Sequence, residues 1–213
     1  MYVPAHFKPD DADVRALLAS GRAANLITAT ADGLLATMLP LVWDAPGSRA
    51  DVGQWGALLG HVARNNAQWK TPAIGDAMVI LAGPDAYISP AWYATKREHG
   101  RVVPTWNYIT VHAYGRLVIH DDAAWVEANV RRLTDHHERP RAERWSVDDA
   151  PPPYVEGQLR AIVGVEILLD RVEGKWKLSQ NRSDADIAGA IEGLEATGER
   201  DVSAAMRDLG RTE

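Results

Sequence analysis

Cysteine is absent from this chain of 213 residues. Its absence excludes disulfides, thiolate metal sites and cysteine nucleophiles, and it fits a protein of the reducing cytoplasm. No apolar run approaches the roughly 18 to 20 residues that a membrane-spanning helix needs. The first six residues contain neither a basic cluster nor an apolar stretch, so they predict no secretory signal. We therefore expect a cytoplasmic protein with no membrane association.

A strong positive charge is also missing. The chain has 23 basic and 29 acidic residues, which give a formal net charge of −6. Eight acidic and three basic residues lie from residue 183 onward, so most of the negative charge is in the C-terminal segment. A protein that binds nucleic acid through many phosphates needs the opposite balance. The composition therefore argues against an extensive nucleic-acid-binding surface, but it allows a local basic pocket.

Apolar and β-branched runs predict strands along most of the chain. The runs 25–30 and 34–43 flank an Asp-Gly turn and predict a hairpin. Further strands are predicted at 57–63, 78–82, 87–89 and 109–120. The runs 163–169 and 175–178 predict a second hairpin that turns at 170–174.

Helices are predicted only at the periphery of these strands. One begins near residue 10 and ends before Gly21, a helical turn lies near 65–70, one runs from 121 to about 138, and another opens at 151–153. Neither GxGxxG nor GxxxxGK[ST] is present, which argues against a doubly wound nucleotide-binding fold. We predict a mainly β fold with peripheral helices (α+β), an antiparallel barrel over residues 1–182. The acidic extension 183–213 is predicted to form two short helices, broken near Gly198, that pack on the barrel or trail from it.

A polar cluster follows the strand predicted at 57–63. His61, Arg64, Asn65 and Lys70 lie where a helical turn should start. Free backbone N–H groups at such a turn and the Arg64 guanidinium would suit a phosphate, and Lys70 adds a point charge. The alternative is a solvated polar strand end, and the segment alone is equally compatible with both.

Aromatic and amide side chains are concentrated in residues 84–93 and 103–108, on either side of a charged loop. Trp106 could stack on a planar ring, and Asn107 could hydrogen-bond the edge of that ring. A role in the core or in a subunit interface is at least as compatible with each residue taken singly.

A basic strand face is predicted near the end of the last β run. Its polar residues alternate along the strand and continue past its end: Lys175, Lys177, Ser179, Gln180 and Arg182. This face fits a contact with a phosphate or with the edge of a ring. It fits equally a solvent-exposed edge that lysines protect.

No catalytic residue can be identified from the sequence. The seven histidines include the adjacent pair His136 and His137, which point about 100° apart on a helix and cannot share one metal ion. No Ser-His-Asp set or nucleophile elbow is present. The prediction is a binding site without a metal, and it leaves catalytic turnover undecided.

Several of these segments, taken together, resemble one family. Residues 60–65, 86–93, 99–108 and 174–182, with the opening Met-Tyr-Val-Pro and the stretch 145–151, resemble the PaiB-like family of FMN-binding proteins. Members are described in bacteria as negative transcriptional regulators. The resemblance runs from residue 1 to about residue 194. It implies a split β-barrel related to the pyridoxamine-phosphate oxidase-like flavoproteins, with FMN as cofactor, and a homodimer that holds FMN at the subunit interface.

Related barrels also imply which residues contact FMN. The resemblance implies that the isoalloxazine is lined by Thr37, Met38 and Leu39. It implies a ribityl-phosphate site at His61, Val62, Arg64, Asn65 and Lys70. It implies further contacts, from the same or the partner subunit, at Trp106, Asn107, Lys177, Gln180 and Arg182. The oxidases use basic residues for phosphate where residues 36–40 here are Ala-Thr-Met-Leu-Pro, so the resemblance gives less support to oxidase activity.

The resemblance favours a flavin-binding negative transcriptional regulator of the PaiB type without turnover. The alternative is a flavin-dependent oxidoreductase related to pyridoxamine-phosphate oxidase or to haem-utilisation flavoproteins, because FMN brings its own redox chemistry. An acidic structural dimer with an empty cleft is a third hypothesis. Direct DNA binding has little support, because the helix-turn-helix candidate at 186–209 is acidic where a recognition helix is basic.

Overall fold

The computed structural model describes residues Met1–Leu209, which form seven strands and six α-helices. The strands are β1 (Ala23–Thr30), β2 (Gly33–Pro40), β3 (Val42–Asp44), β4 (Ala57–Ala63), β5 (Ala77–Ile88), β6 (Thr105–His120) and β7 (Ile162–Lys177). The helices are α1 (Asp11–Ala19), α2 (Thr95–Glu98), α3 (Ala123–Glu138), α4 (Pro152–Arg160), α5 (Asp184–Thr197) and α6 (Arg200–Leu209). None of these helices is long and apolar enough to cross a membrane.

The seven strands form one sheet in the order β2-β1-β5-β6-β7-β4-β3. β1 pairs antiparallel with β2, from Thr30 opposite Gly33 to Ala23 opposite Pro40, and this confirms the hairpin predicted at the Asp-Gly turn. Antiparallel pairing also joins β1 to β5, β3 to β4 and β4 to β7. β2 and β3 are therefore the edge strands of the sheet.

The chain forms two compact units. The larger unit comprises Ala12–Leu81 and His112–Glu173, and the smaller unit comprises Met1–Asp11, Ala82–Val111 and the residues from Gly174 on. Strands β5, β6 and β7 each contribute residues to both units. The division into a barrel and an extension at residue 182 remains a prediction.

The core of the larger unit lies between α3 and strands β3 and β4. Four buried side chains pack together with Trp125 and Leu168 against them: Val42, Ala57, Leu59 and Leu133. Asp122 caps α3, because its carboxylate accepts a hydrogen bond from the Trp125 N–H at 2.9 Å. The cap fixes the start of α3 close to where the sequence predicts it.

Strand β6 shows the predicted alternation. Val111, Ala113 and Gly115 are buried on one face, and the residues between them are half-buried. A Cβ atom on Gly115 would lie 1.9 Å from the backbone oxygen of Leu168 in β7. Glycine is therefore required at residue 115, because the two backbones approach each other closely there.

Helices α5 and α6 supply much of the buried surface of the smaller unit. Their buried apolar side chains are Ala190, Leu194, Val202 and Met206. Ser183 caps α5 by accepting a hydrogen bond from the Asp186 N–H, and Gly198 ends it with a φ of 88°. The two helices broken near Gly198 are as predicted.

The structure corrects two strand predictions. The strands predicted at 78–82 and 87–89 are one strand, β5, because Gly83 lacks a Cβ and allows Ile109 of β6 to pack against it. The hairpin predicted between 163–169 and 175–178 is the continuous strand β7. Arg171 lies over the Tyr114 ring of β6 at 3.6 Å, and this contact favours an extended backbone in the polar segment 170–174.

Two smaller boundaries also differ from the sequence expectation. The run 34–43 is divided into β2 and β3 at Leu41. The helical turn predicted near 65–70 begins at Ala67, whose carbonyl accepts hydrogen bonds from the Lys70 N–H at 3.0 Å and the Thr71 N–H at 3.1 Å, and it does not continue into a helix. The Gln68 N–H at the start of this turn donates to Asn66 Oδ1 at 2.8 Å.

Candidate functional site

The residues predicted to contact FMN lie in both units. The larger unit contains Thr37, Met38, Leu39, His61, Val62, Arg64, Asn65 and Lys70. The smaller unit contains Trp106, Asn107, Lys177, Gln180 and Arg182.

Strand β2 presents its residues alternately to the two sides of the sheet. Met38 is 69% exposed, whereas Leu39 is buried. Thr37 is half-buried, and its Oγ1 accepts a hydrogen bond from Asn66 Nδ2 at 2.9 Å. Asn66 Oδ1 in turn accepts from the Gln68 N–H at 2.8 Å. These contacts hold the 64–70 segment against the β1–β2 hairpin.

Gln68 secures the same segment from inside the unit. Its buried side-chain amide donates to the Leu26 carbonyl and to Thr28 Oγ1, each at 3.1 Å. Neither Asn66 nor Gln68 is among the predicted site residues, although both lie within the polar segment 61–70. Asn65 and Lys70 are exposed, and Lys70 Nζ lies 5.2 Å from the centre of the Trp69 ring.

The Arg64 side chain already has hydrogen-bond partners within the protein. Its guanidinium makes two hydrogen bonds with the Asp121 carboxylate, at 3.1 and 2.6 Å. It also donates to the backbone carbonyls of Arg160 at 2.7 Å and Ile162 at 3.1 Å. The hydrogen bond to Asp121 raises the pKa of Arg64, and the same bond lowers the pKa of Asp121. Arg64 therefore ties the end of β4 to the segment before α3 and to the α4–β7 junction.

His61 lines a cavity beside helices α3 and α4. Its Nδ1 is buried without a hydrogen-bond partner, and burial lowers the pKa of the imidazole. A Cβ atom on the preceding residue, Gly60, would meet Leu39 and Leu41. Because successive side chains of a strand point to opposite faces, His61 faces away from Leu39. The two side chains therefore lie on opposite faces, and Val62 beside them is buried.

The smaller unit contains a group of cations that we call the basic cluster: Lys175, Lys177 and Arg182. Lys177 Nζ donates to Thr105 Oγ1 and to the Trp106 carbonyl. Lys175 and Lys177 lie 5.5 and 5.9 Å from the centre of the Tyr108 ring. Burial lowers the pKa of Lys177, and the like charges of Lys175 and Arg182 lower it further. The cluster therefore concentrates positive charge and suits an anionic group such as a phosphate.

A tight turn after β7 shapes the basic cluster. Ser179 has a φ of 69°, which is unusual for a residue other than glycine. The buried Asn107 side chain donates to Ser179 Oγ at 3.0 Å. Gln180 closes the turn, because its side chain accepts from the Leu178 N–H at 2.7 Å and donates to the Trp176 carbonyl at 2.6 Å. Asn107 and Gln180 thus hold the backbone that positions Arg182.

Aromatic rings lie next to the basic cluster. Trp106 is 50% exposed, and its indole N–H donates to Asp85 Oδ1 at 2.7 Å. The Tyr87 ring packs edge-on against it at 6.2 Å. Tyr108 is not among the predicted residues, yet it shares a strand face with Trp106, two residues away. Exposed aromatic surface beside basic groups fits a ligand with a planar ring and a negative charge.

Comparison with known proteins gives a consistent result. A family model described as "Putative FMN-binding domain" matches residues 1–171. The protein PAI 2 of Bacillus subtilis, named as a protease synthase and sporulation protein, is 33% identical over 198 residues. This alignment covers 92% of the chain and 89% of the relative.

Solved structures share the fold at low sequence identity. A conserved hypothetical protein of Mycobacterium tuberculosis has a TM-score of 0.53 at 12% identity, and the match covers 85% of this chain and 92% of that one. The FAD and haem binding protein of Mycobacterium smegmatis has a TM-score of 0.52 at 13% identity, with 84% and 77% covered. These likenesses confirm the predicted split β-barrel.

Proposed function

The chain belongs to the PaiB-like family of FMN-binding proteins, with FMN as cofactor, and on this basis we propose that it is a flavin-binding homodimer that acts as a negative transcriptional regulator. The observation that supports flavin binding best is the basic cluster beside the Tyr108 ring, with the exposed ring of Trp106 on the same strand face. These groups fit the two chemical parts of FMN, a phosphate and a planar ring system. When bound, FMN supplies redox chemistry of its own.

Within the proposed site, the residues of the smaller unit hold the phosphate. An ammonium group has three N–H donors, and two of those on Lys177 are used by Thr105 and Trp106. The third is available to a phosphate oxygen, while Lys175 and Arg182 add positive charge. The proposal retains Thr37, Met38, Asn65 and Lys70 as contacts to FMN from one subunit, with the basic cluster supplied by the other.

Besides the buried Leu39 and the turn-holding Asn107 and Gln180, three predicted contacts have other surroundings in this proposal. The Arg64 guanidinium is paired with Asp121, and the Val62 side chain is buried. His61 faces the cavity beside α4. Their direct contact with FMN remains a prediction that the proposal does not require.

An apolar surface on the β1–β2 hairpin supports the homodimer. Leu34 is 75% exposed on the same face of edge strand β2 as Met38. Ile74 is also exposed, and its N–H donates to the Ala29 carbonyl of β1. Contiguous exposed apolar side chains on a sheet edge are characteristic of an interaction surface. We propose a second copy of this chain as the partner there, which sedimentation velocity of the purified protein tests directly.

The regulatory part of the proposal relies on a partner or a small-molecule signal instead of direct DNA contact. The first turn of α5 contains Asp184 and Asp186, and the first turn of α6 contains Asp201. Acidic residues at these positions would repel the phosphates of DNA. Retention of an operator fragment by the purified protein alone would contradict this part of the proposal.

Flavin binding is tested first by the visible absorption spectrum of the purified protein and by quenching of added FMN fluorescence. A yellow protein, or stoichiometric quenching, is the expected result. A colourless protein that does not quench FMN would overturn the proposal. Oxidation of NAD(P)H well above the rate with free FMN would replace the regulator with the flavin-dependent oxidoreductase.

A further inference from the structure

Helix α4, which belongs to the larger unit, buries none of its own side chains. Its nine residues are all exposed or half-buried. Val155 and Leu159, on its apolar side, line cavities instead of a close-packed core. A helix of this length depends on the packing of its apolar face for stability. α4 is therefore held less firmly than α3, which buries Val126, Asn129 and Leu133.

One of these cavities, which we call the α4 pocket, has a volume of about 230 Å³. It is lined by His61 of β4, Val130 of α3 and Ile162 of β7, together with Trp145 and Tyr154. An apolar cavity of about 150 Å³ can bind benzene. The α4 pocket thus has room for a molecule of one or two fused rings.

The lining of the α4 pocket favours an uncharged aromatic molecule. Trp145 and Tyr154 are 48% and 61% exposed, so two large aromatic side chains at the pocket are left partly in water. The other described lining residues are mostly aliphatic, and none of those described is Asp, Glu, Lys or Arg. An ionised ligand would lose its hydration there without gaining an opposite charge.

His61 provides hydrogen-bonding capacity that the fold does not use. Its Nδ1 is buried without a partner, although buried polar groups in proteins almost always have one. Burial lowers the pKa of the ring, so His61 is neutral at pH 7 and has one donor and one acceptor nitrogen. Because Nδ1 has almost no accessible surface, the other ring nitrogen, Nε2, is the atom of this lining residue that a single polar group on a ligand can reach.

We infer that the α4 pocket binds an uncharged aromatic molecule of one or two rings, which His61 recognises by a hydrogen bond and α4 covers. Trp145 and Tyr154 contact the rings, and the aliphatic lining excludes water. The inference uses none of the residues in the basic cluster, but it uses His61, which the sequence predicts as an FMN contact, so competition with FMN decides whether the two sites are separate.

Indole and indene are the probes, because they have nearly the same shape and only indole has an N–H donor. Calorimetric titration of the purified full-length protein is expected to show one indole site. In the His61→Phe variant, the ratio of indole affinity to indene affinity is expected to fall about fivefold to tenfold, because the hydrogen bond is lost and the ring is kept. His137→Phe, at an exposed position of α3, is the matched control and should leave the ratio unchanged.

A second variant covers the case in which His61→Phe does not fold. Tyr154→Ala changes an exposed residue of α4 and should weaken indole and indene together by severalfold. Hydrogen exchange of the α4 amides is expected to slow when indole is added, because the ligand fills the space under the helix.

FMN distinguishes this pocket from the flavin site. Indole should bind with the same affinity to the FMN-saturated protein as to the FMN-free protein. Displacement of indole by FMN would place the flavin in the α4 pocket and overturn the inference. Failure of indole to bind, or an unchanged indole-to-indene ratio in a folded His61→Phe variant, would overturn it as well.

Discussion

Replacing Lys177 by glutamine tests whether the basic cluster contacts the phosphate of FMN. The Lys177 ammonium is anchored by Thr105 and by the carbonyl of Trp106, so its position depends little on solvent. Burial lowers the pKa of Lys177, and the like charges of Lys175 and Arg182 lower it further, so a bound anion would offset the repulsion among these cations. Glutamine keeps a polar side chain but removes the charge.

The expected loss follows from one charge-assisted hydrogen bond. Two of the three ammonium donors are used within the fold, which leaves one for the phosphate. A hydrogen bond to a charged group contributes about 1.5–3 kcal/mol, and each 1.4 kcal/mol is a factor of about ten in affinity. The Lys177→Gln variant should therefore bind FMN about 10-fold to 150-fold more weakly, as measured by quenching of flavin fluorescence. The difference should shrink as salt is added.

Riboflavin provides the matched ligand control, because it lacks the phosphate and keeps the ring. Its affinity should be nearly the same for the wild type and for Lys177→Gln. Lys96→Gln removes the same charge from an exposed residue of α2 in the same unit and should leave FMN binding unchanged. Equal losses for FMN and riboflavin, or unchanged FMN binding by Lys177→Gln, would refute the phosphate contact.

Three further changes test the fold around the site. Gly115→Ala should destabilise the protein by about 3 kcal/mol, because the new Cβ would lie 1.9 Å from a backbone oxygen. Gly157→Ala is the control and should be neutral or slightly stabilising, because the nearest atom to its new Cβ lies at 4.0 Å. Urea denaturation of both variants measures the difference. Burial lowers the pKa of His61 from its ordinary 6.5, so the unfolded state binds the proton first, and stability should be lost as the pH falls below 6.5. The thermal midpoint of His61→Gln should fall less steeply between pH 7 and 5, and an equal slope would contradict the reasoning. Arg64→Ala should lower the thermal midpoint more than Arg160→Ala, and it should leave the FMN affinity of the folded protein unchanged.

Local signals are sufficient to predict most elements of this fold. The Asp-Gly turn predicts the β1–β2 hairpin, and the apolar run at 57–63 coincides with β4. The long strands β5 and β7 are different, because Gly83 and the polar segment 170–174 are turn signals in the sequence. Their extended form depends on contacts with β6, from Ile109 and Tyr114, that no local pattern contains.

The sequence indicates which polar residues are available to bind FMN, but it does not indicate which other residues those side chains contact. Arg64 was expected to contact phosphate, yet its guanidinium is paired with Asp121, which is 57 positions away in the chain. Asn66 is not among the predicted FMN contacts, yet its side chain joins the 64–70 segment to Thr37, which is 29 positions away in the chain. A polar run in the sequence shows which groups are available, and only the tertiary structure shows which of them the fold has already used.

The opposite faces of β4 show why residues that are neighbours in the sequence need not share one site. Alternation along a strand is visible in the sequence, but the layer that each face meets is not. The α-carbon of Gly60 faces Leu39 and His61 faces the α4 pocket, so these two neighbours meet different layers. The turn at Ser179 lies between Lys177 and Arg182, and the positive charges of Lys175 and Arg182 both act on Lys177. The sequence predicts these cations on and just past one strand, and the left-handed backbone at Ser179 determines where Arg182 follows them.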